Sequence, residues 1–276
     1  MNKPDDVGIG LIGFGTIGTG VVRTLTRNRK VIGGSLGFNL NIVKIADVDV
    51  ATDRGVRVPP SILTTDAAEV TRHPRVGIVI ELIGGTTPAR EFILDAIRHG
   101  KHVVTANKEL IAKHGAELIA AAESRGVALR YEASVGGGIP ILTPLLTCLR
   151  ANRVTKITGI VNGTTNYILT RMEQADADFE DALAEAQRKG YAEADPTADV
   201  DGFDSAYKIA ILTAVAFGRS VPVGRIHREG IRRVTRDDIR YAAELGYRIR
   251  LIAVSRAAPD AQDVRVHPAL VPAGHP

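Results

Sequence analysis

The hexapeptide Gly13-Phe14-Gly15-Thr16-Ile17-Gly18 stands between a β-branched apolar run, Val7–Ile12, and a stretch with apolar residues three or four apart at Ile17, Val21 and Leu25. No other feature restricts the fold as tightly. Glycine in the first place permits a sharp strand-to-helix turn, in the second lets a pyrophosphate come close to the backbone, and in the third lets the helix pack against the strand. A helix that begins there points N–H groups and partial positive charge at an anion. A turn of this kind belongs in a parallel sheet, so strands and helices should alternate around it.

They do through the first half of the chain. Strands are expected at Val7–Ile12, Asn41–Asp47, Gly77–Leu82, His102–Thr105 and Ala128–Tyr131, with helices at Thr16–Thr26, Pro88–His99 and Glu109–Arg125. Asn28–Phe38 reads as a loop inserted after the first helix. This is an α/β, Rossmann-type doubly wound sheet. Around Ser134 the periodicity breaks at VGGGIP, a crossover out of a first domain of 1–133. The remainder, 134–276, is mixed, with a helix at Ile141–Leu149 and a strand at Val154–Val161. Helices at Thr165–Glu173, Phe179–Lys189 and Asp201–Phe217 come next, then strands at Ile249–Ser255 and Val264–Val271. A second, α+β domain is expected there.

Composition narrows the functional classes. The 276 residues include one cysteine, Cys148, which excludes an internal disulfide framework and a multi-cysteine zinc site. Lying in a helical apolar run, Cys148 reads as a buried small side chain. The net charge of +4 would point to nucleic acid only if the basic residues clustered. The one dense stretch, Arg225 to Arg240, interleaves Glu229, Asp237 and Asp238 and reads as a solvated helix face. The start, MNKPDDVGIGLIG, puts acids before a short apolar run, and no stretch approaches about 18 uninterrupted apolar residues. Neither a nucleic-acid nor a membrane partner is expected, and a cytoplasmic location follows by default.

Two groups of polar residues carry chemistry. Asp47, at the end of the second strand, can hold a ribose hydroxyl and repel a 2′-phosphate, which favours NAD, while Arg54 in the same region can accommodate that phosphate, so NADP is tolerated. Downstream, GYAEADPTADVDGFDSAYK crowds Glu193, Asp195, Asp199, Asp201 and Asp204 ahead of Lys208. Asp204 and Lys208 lie four apart on a helical pattern and share a face, which alone describes an ordinary surface ion pair. The neighbouring acids argue for more, since like charges repel unless a cationic ligand group, a lysine or a metal is shared among them. Such a site suits an amino acid substrate. Lys108 follows the strand His102–Thr105, at the carboxyl end where ligands of open α/β sheets bind.

Taken in order, GFGTIG (13–18), TANK (105–108), NGTTNYIL (162–169) and GYAEADPTADVDGFDSAYK (190–208) closely resemble homoserine dehydrogenase, and the likeness runs from Val7 to the end of the chain. The resemblance implies an oxidoreductase that interconverts L-homoserine and L-aspartate 4-semialdehyde with NAD or NADP, on the way to threonine, methionine and isoleucine. It implies that Lys208 gives and takes the substrate proton and that Lys108 is the second active-site lysine, near both nicotinamide and substrate. Glu193 and Asp204 match substrate-holding residues, with Asp199 beside them, and Gly190, Tyr191 and Thr164 match the loops that close over it. The implied cofactor contacts are Gly13, Phe14, Gly15, Thr16, Ile17, Gly18, Asp47, Gly84, Thr86 and Lys108.

A monovalent cation, usually sodium, is implied at Glu132 with the backbone carbonyls of Val135, Gly137 and Ile139, though the same glycines also suffice as a hinge. A homodimer through the second domain is implied as well. Members of the family continue beyond the point where this chain reads VHPALVPAGHP, so an incomplete second domain is expected, and a catalytically impaired dinucleotide-binding fragment is the alternative. A semialdehyde dehydrogenase of similar fold is disfavoured because it needs a cysteine nucleophile at an activated turn, where Cys148 does not lie.

Overall fold

In the computed structural model, residues 6–258 and 262–275 are described. The opening Met1–Asp5, read above for targeting, and Pro276 lie outside them. Contacts divide the chain into two units, Met1–Gly137 and Gly138–Pro276.

The first unit is built on a parallel sheet of six strands, β1 (Val7–Ile12), β2 (Leu40–Ala46), β3 (Leu63–Thr64), β4 (Val76–Glu81), β5 (His102–Thr105) and β6 (Leu129–Arg130), in the order β3-β2-β1-β4-β5-β6. Parallel strands need crossovers, and these are α1 (Thr16–Arg27), α2 (Arg29–Leu36), α3 (Ala68–Thr71), α4 (Thr87–Arg98) and α5 (Lys108–Ser124). The order reverses between β1 and β4, so a crevice opens beyond the carboxyl ends of those two strands. Leu11, Ile45, Ile93, Leu110 and Leu118 fill the core. Where a loop was expected at Asn28–Phe38, the chain forms α2. The pair Gly33-Gly34 weakens the helical signal there, and Gly37, in the left-handed region at φ +79, ends the helix.

Asp95 ties α3 to α4. Its carboxylate accepts from the Thr71 hydroxyl at 2.6 Å, Arg72 Nε at 3.2 Å and Arg98 Nη2 at 3.1 Å. Burial pushes this carboxyl up, but the hydrogen bonds from Thr71, Arg72 and Arg98 outweigh it and hold the group at about 2. A depressed carboxyl stabilises the fold above its unfolded value near 3.9 and loses that contribution as pH falls toward 2. Asp95→Asn should therefore cost on the order of 2 kcal/mol at pH 7 and almost nothing at pH 2. Urea unfolding of both proteins at the two pH values checks this, and an equal deficit at each would refute it.

The second unit holds a four-stranded sheet of β7 (Lys156–Gly159), β8 (His227–Arg228), β9 (Tyr247–Ala257) and β10 (Gln262–Pro272), ordered β7-β9-β10-β8. Its helices are α6 (Leu142–Leu146), α7 (Gly163–Ala175), α8 (Phe179–Arg188), α9 (Thr197–Val200), α10 (Phe203–Phe217) and α11 (Arg236–Glu244). Helix α10 is apolar almost all round and packs on β9 and β10. There Thr213, buried, donates its hydroxyl to the Ile209 carbonyl and accepts from Ser255 Oγ.

Three readings of this half are corrected. The helix expected over Asp201–Phe217 begins two residues later, as α10, because Gly202 at φ +79 separates it from the short α9 that precedes it. Helix α6 ends at Leu146, so Cys148 falls in the turn beyond it and is exposed rather than buried. Arg225 to Arg240 is not one solvated face. Arg228 stacks on the Phe203 ring and donates to the Asp201 carbonyl, Arg232 bonds the Asp201 carboxylate, and the helix starts only at Arg236, behind a capping box of Thr235 and Asp238. Among the described residues, no helix is long and apolar enough to cross a membrane.

Candidate functional site

In the first unit, the glycine turn performs three separate jobs. Gly13 sits at φ +99, and a side-chain carbon there would lie 2.8 Å from the Leu82 backbone. At Gly18 the same carbon would come within 2.1 Å of the Gly13 carbonyl oxygen, so only glycine brings α1 this close to the turn. Gly15, in contrast, has nothing within 4 Å on that side. Its open face belongs to a cleft of about 520 Å³ lined by Gly13, Gly15, Asp47, Val48, Ile83 and Gly84, among others. Gly15 also caps α1 without a side-chain hydrogen bond, so the N-terminal donors of that helix are left for an anion.

The remaining cofactor candidates sort by position. Phe14 is buried in a cluster with Leu11, Val22 and Ile45, so only its backbone belongs to the loop. Thr16 and Ile17 are exposed on the first turn of α1. Asp47 does more than face the cleft. One of its oxygens accepts the Phe14 N–H and the other the Asp49 N–H at 2.9 Å, so the acid also braces the turn. Arg54 places Nη2 3.1 Å from Asp49 Oδ2 and 3.9 Å from Asp47 Oδ1. Gly84 lies at φ +72 in the turn after β4, Thr86 precedes α4, and Lys108, half-buried, opens α5 behind Asn107, whose side chain caps the helix by accepting the Leu110 N–H.

In the second unit, α10 presents Asp204 and Lys208 one turn apart, with Lys208 Nζ 2.7 Å from Asp204 Oδ2. This is no surface pair: the side chains are 3% and 17% exposed. Lys208 also donates to the Val161 carbonyl at 2.7 Å. Two of its three N–H bonds are thus engaged. Asn162, which sequence reasoning missed, joins the cluster. Its amide nitrogen donates to Asp199 Oδ1 at 2.7 Å and to Asp204 Oδ2 at 2.9 Å, while its oxygen accepts from the backbone and hydroxyl of Thr165. One amide therefore caps α7 and holds two carboxylates beside a lysine. The cap was legible, since asparagine stands just before a helical pattern. The two donated bonds span 37 and 42 residues and were not.

The other acids find separate partners rather than one shared cation. Asp195 accepts the Thr197 N–H at 3.1 Å, and Asp201 pairs with Arg232. Among the described residues no group of three or more histidine, cysteine or acidic side chains could hold a metal. The loop from Gly190 is fixed by its backbone: Thr164 Oγ1 donates to the Tyr191 carbonyl at 2.8 Å, and Gln187 donates to the carbonyls of Glu193 and Ala194. Tyr191, itself exposed, stacks on Tyr167 at 4.6 Å between ring centres. Tyr167 in turn bonds Glu185, which hydrogen bonds from Lys189, Arg171 and Tyr167 hold at about 2. Glu193 is exposed. Glu132, Val135 and Gly137 lie in the first unit and Ile139, exposed, in the second.

Known proteins match both units. Residues 13–132 fit the family model for the homoserine dehydrogenase NAD binding domain, and residues 140–276 fit that for homoserine dehydrogenase. A homoserine dehydrogenase of Synechocystis is 47% identical over 274 residues, covering 98% of this chain and 63% of that protein. The crystal structure of a homoserine dehydrogenase from Thiobacillus denitrificans superposes with a TM-score of 0.93 at 46% identity, over 98% of this chain and 62% of that one. A hyperthermophilic archaeal homoserine dehydrogenase in complex with NADPH does so at 0.80 and 25% identity, over 98% and 84%. The chain thus spans under two thirds of the length of the first two.

Proposed function

This chain belongs to the homoserine dehydrogenase family, and from that premise we propose that it interconverts L-homoserine and L-aspartate 4-semialdehyde with NAD or NADP, in the branch leading to threonine, methionine and isoleucine. The observation that carries the reading is the buried Lys208 ammonium, held by Asp204 and the Val161 carbonyl with one N–H remaining. That bond is the donor for the substrate oxygen. In the reducing direction Lys208 gives it up to the forming alkoxide, and in the oxidising direction it takes the proton back. The nicotinamide, when bound, exchanges hydride at C4. Asp199, Asp204 and Glu193 supply the negative charge that a substrate ammonium requires, with Thr164, Gly190 and Tyr191 in the loop that covers it. Lys108 is the second lysine, on the cofactor side.

The open backbone at Gly15 and the uncapped start of α1 fit the pyrophosphate. Asp47 supports NAD, and Arg54, already paired with Asp49, would have to leave that partner to meet a 2′-phosphate, so NADP is the tolerated cofactor. One carboxylate from Glu132 and the carbonyls of Val135, Gly137 and Ile139 are the hard oxygen donors that sodium takes. A homodimer and a cytoplasmic location complete the proposal.

The test is L-homoserine-dependent formation of NADH or NADPH, followed by absorbance. A rise that requires homoserine is the expected result. Dinucleotide binding without turnover would replace the proposal with that of a binding fragment.

A further inference from the structure

At the carboxyl ends of β4 and β5 lies a buried acid that none of these steps uses. Glu81 is fully buried. Its Oε1 accepts the Ile83 N–H at 2.8 Å and its Oε2 the Thr105 hydroxyl at 2.6 Å. Thr105 Oγ1 accepts the Asn107 N–H at 3.0 Å, and Asn107 Nδ2 donates to the Gly85 carbonyl at 2.7 Å. The bonds close a ring from Glu81 through Thr105, Asn107 and Gly85 back to Ile83. Thr105 and Asn107 are buried as well. Two loops meet in that ring: the glycine turn after β4, where Ile83 and Gly84 line the cleft, and the corner before α5, where Asn107 precedes Lys108.

A carboxyl group is costly to bury, and burial pushes Glu81 up against the opposing hydrogen bonds from Thr105 and Ile83. An apolar residue would serve a sheet interior better, so the acid calls for another explanation. We propose that Glu81 is a positioning residue for the dinucleotide, locking the Gly84–Gly85 turn to the start of α5 so that cleft backbone and Lys108 are presented as one rigid surface. Without the lock each loop keeps its own turn but not its offset from the other, and a displacement of about 1 Å is enough to spoil a bound geometry. The inference rests on the reading of this cleft as the cofactor site.

The full chain serves for the test, with NADH and NADPH binding followed by nicotinamide fluorescence and melting recorded alongside. Glu81→Gln keeps the shape and removes the acid. Thr105→Val keeps the shape and removes the hydroxyl, and Thr105→Ser restores it. The expected result is a Kd raised roughly tenfold in Glu81→Gln and in Thr105→Val, a near-parental Kd in Thr105→Ser, and a double variant no worse than either single one. An unchanged Kd in both single variants overturns the proposal whatever happens to the melting temperature, as does a double variant whose losses add. Should Glu81→Gln fail to fold, the Thr105 pair decides. A parent chain that binds neither nucleotide overturns the reading of the cleft itself, which is a separate failure.

Discussion

Lys208→Ala should lower kcat about a thousandfold while leaving NADPH affinity near the parental value. The magnitude is that of a positioned proton donor, whose removal costs roughly 10²–10⁴ in rate. The geometry puts the loss in the chemical step. Lys208 is fixed at both ends of its reach, by Asp204 at 2.7 Å and the Val161 carbonyl at 2.7 Å, so it is oriented before any substrate arrives. An ammonium held in this way serves a developing negative charge better than a flexible surface lysine, because little reorganisation remains to be done. Steady-state kinetics in both directions, with cofactor binding measured separately, check the assignment. Near-normal kcat with a raised KM for homoserine would make Lys208 a binding residue instead.

How much of this was legible beforehand depended on whether a residue's job is local. Gly13, Gly15 and Gly18 were readable because a turn and a helix start are made by neighbours in sequence, and the structure has a tight turn at Gly13, open space at Gly15 and close packing at Gly18. Asp204 and Lys208 were readable because helical spacing fixes which side chains share a face. Burial was not: the same spacing describes a solvent-exposed pair, and only the fold, which brings Val161 and Asn162 against it, removes it from water. Helix α2 was missed because glycine pairs argue against helices, an objection that the Gly37 cap offsets. Cys148 was misplaced because apolar periodicity continued past the point where α6 stops. Asn162 and Glu81 had signals that pointed elsewhere. The first stands just before a helical pattern and the second near the end of a strand; their other bonds depend on chain segments that only the fold brings near.

For Asp204→Ala two losses are expected together. Lys208 would keep its buried ammonium against the Val161 carbonyl without its carboxylate, and removing one member of a buried pair costs about 3–5 kcal/mol because the other charge is left uncompensated. Asn162 would lose one of its two acceptors, so Asp199 would remain the only carboxylate on that amide. Homoserine affinity should fall at least tenfold as well, since the substrate ammonium loses one of its acids. The two losses can be separated. In the double variant Asp204→Ala, Lys208→Met no charge is stranded, and a flexible apolar chain fills the space of the lysine stem, so most of the stability should return. Activity and homoserine affinity should not. Urea unfolding paired with calorimetric titration of L-homoserine reads both quantities on the same samples. A double variant as unstable as Asp204→Ala alone would show that the carboxylate supports the fold through contacts other than Lys208, and unchanged homoserine affinity in Asp204→Ala would remove this acid from the substrate site.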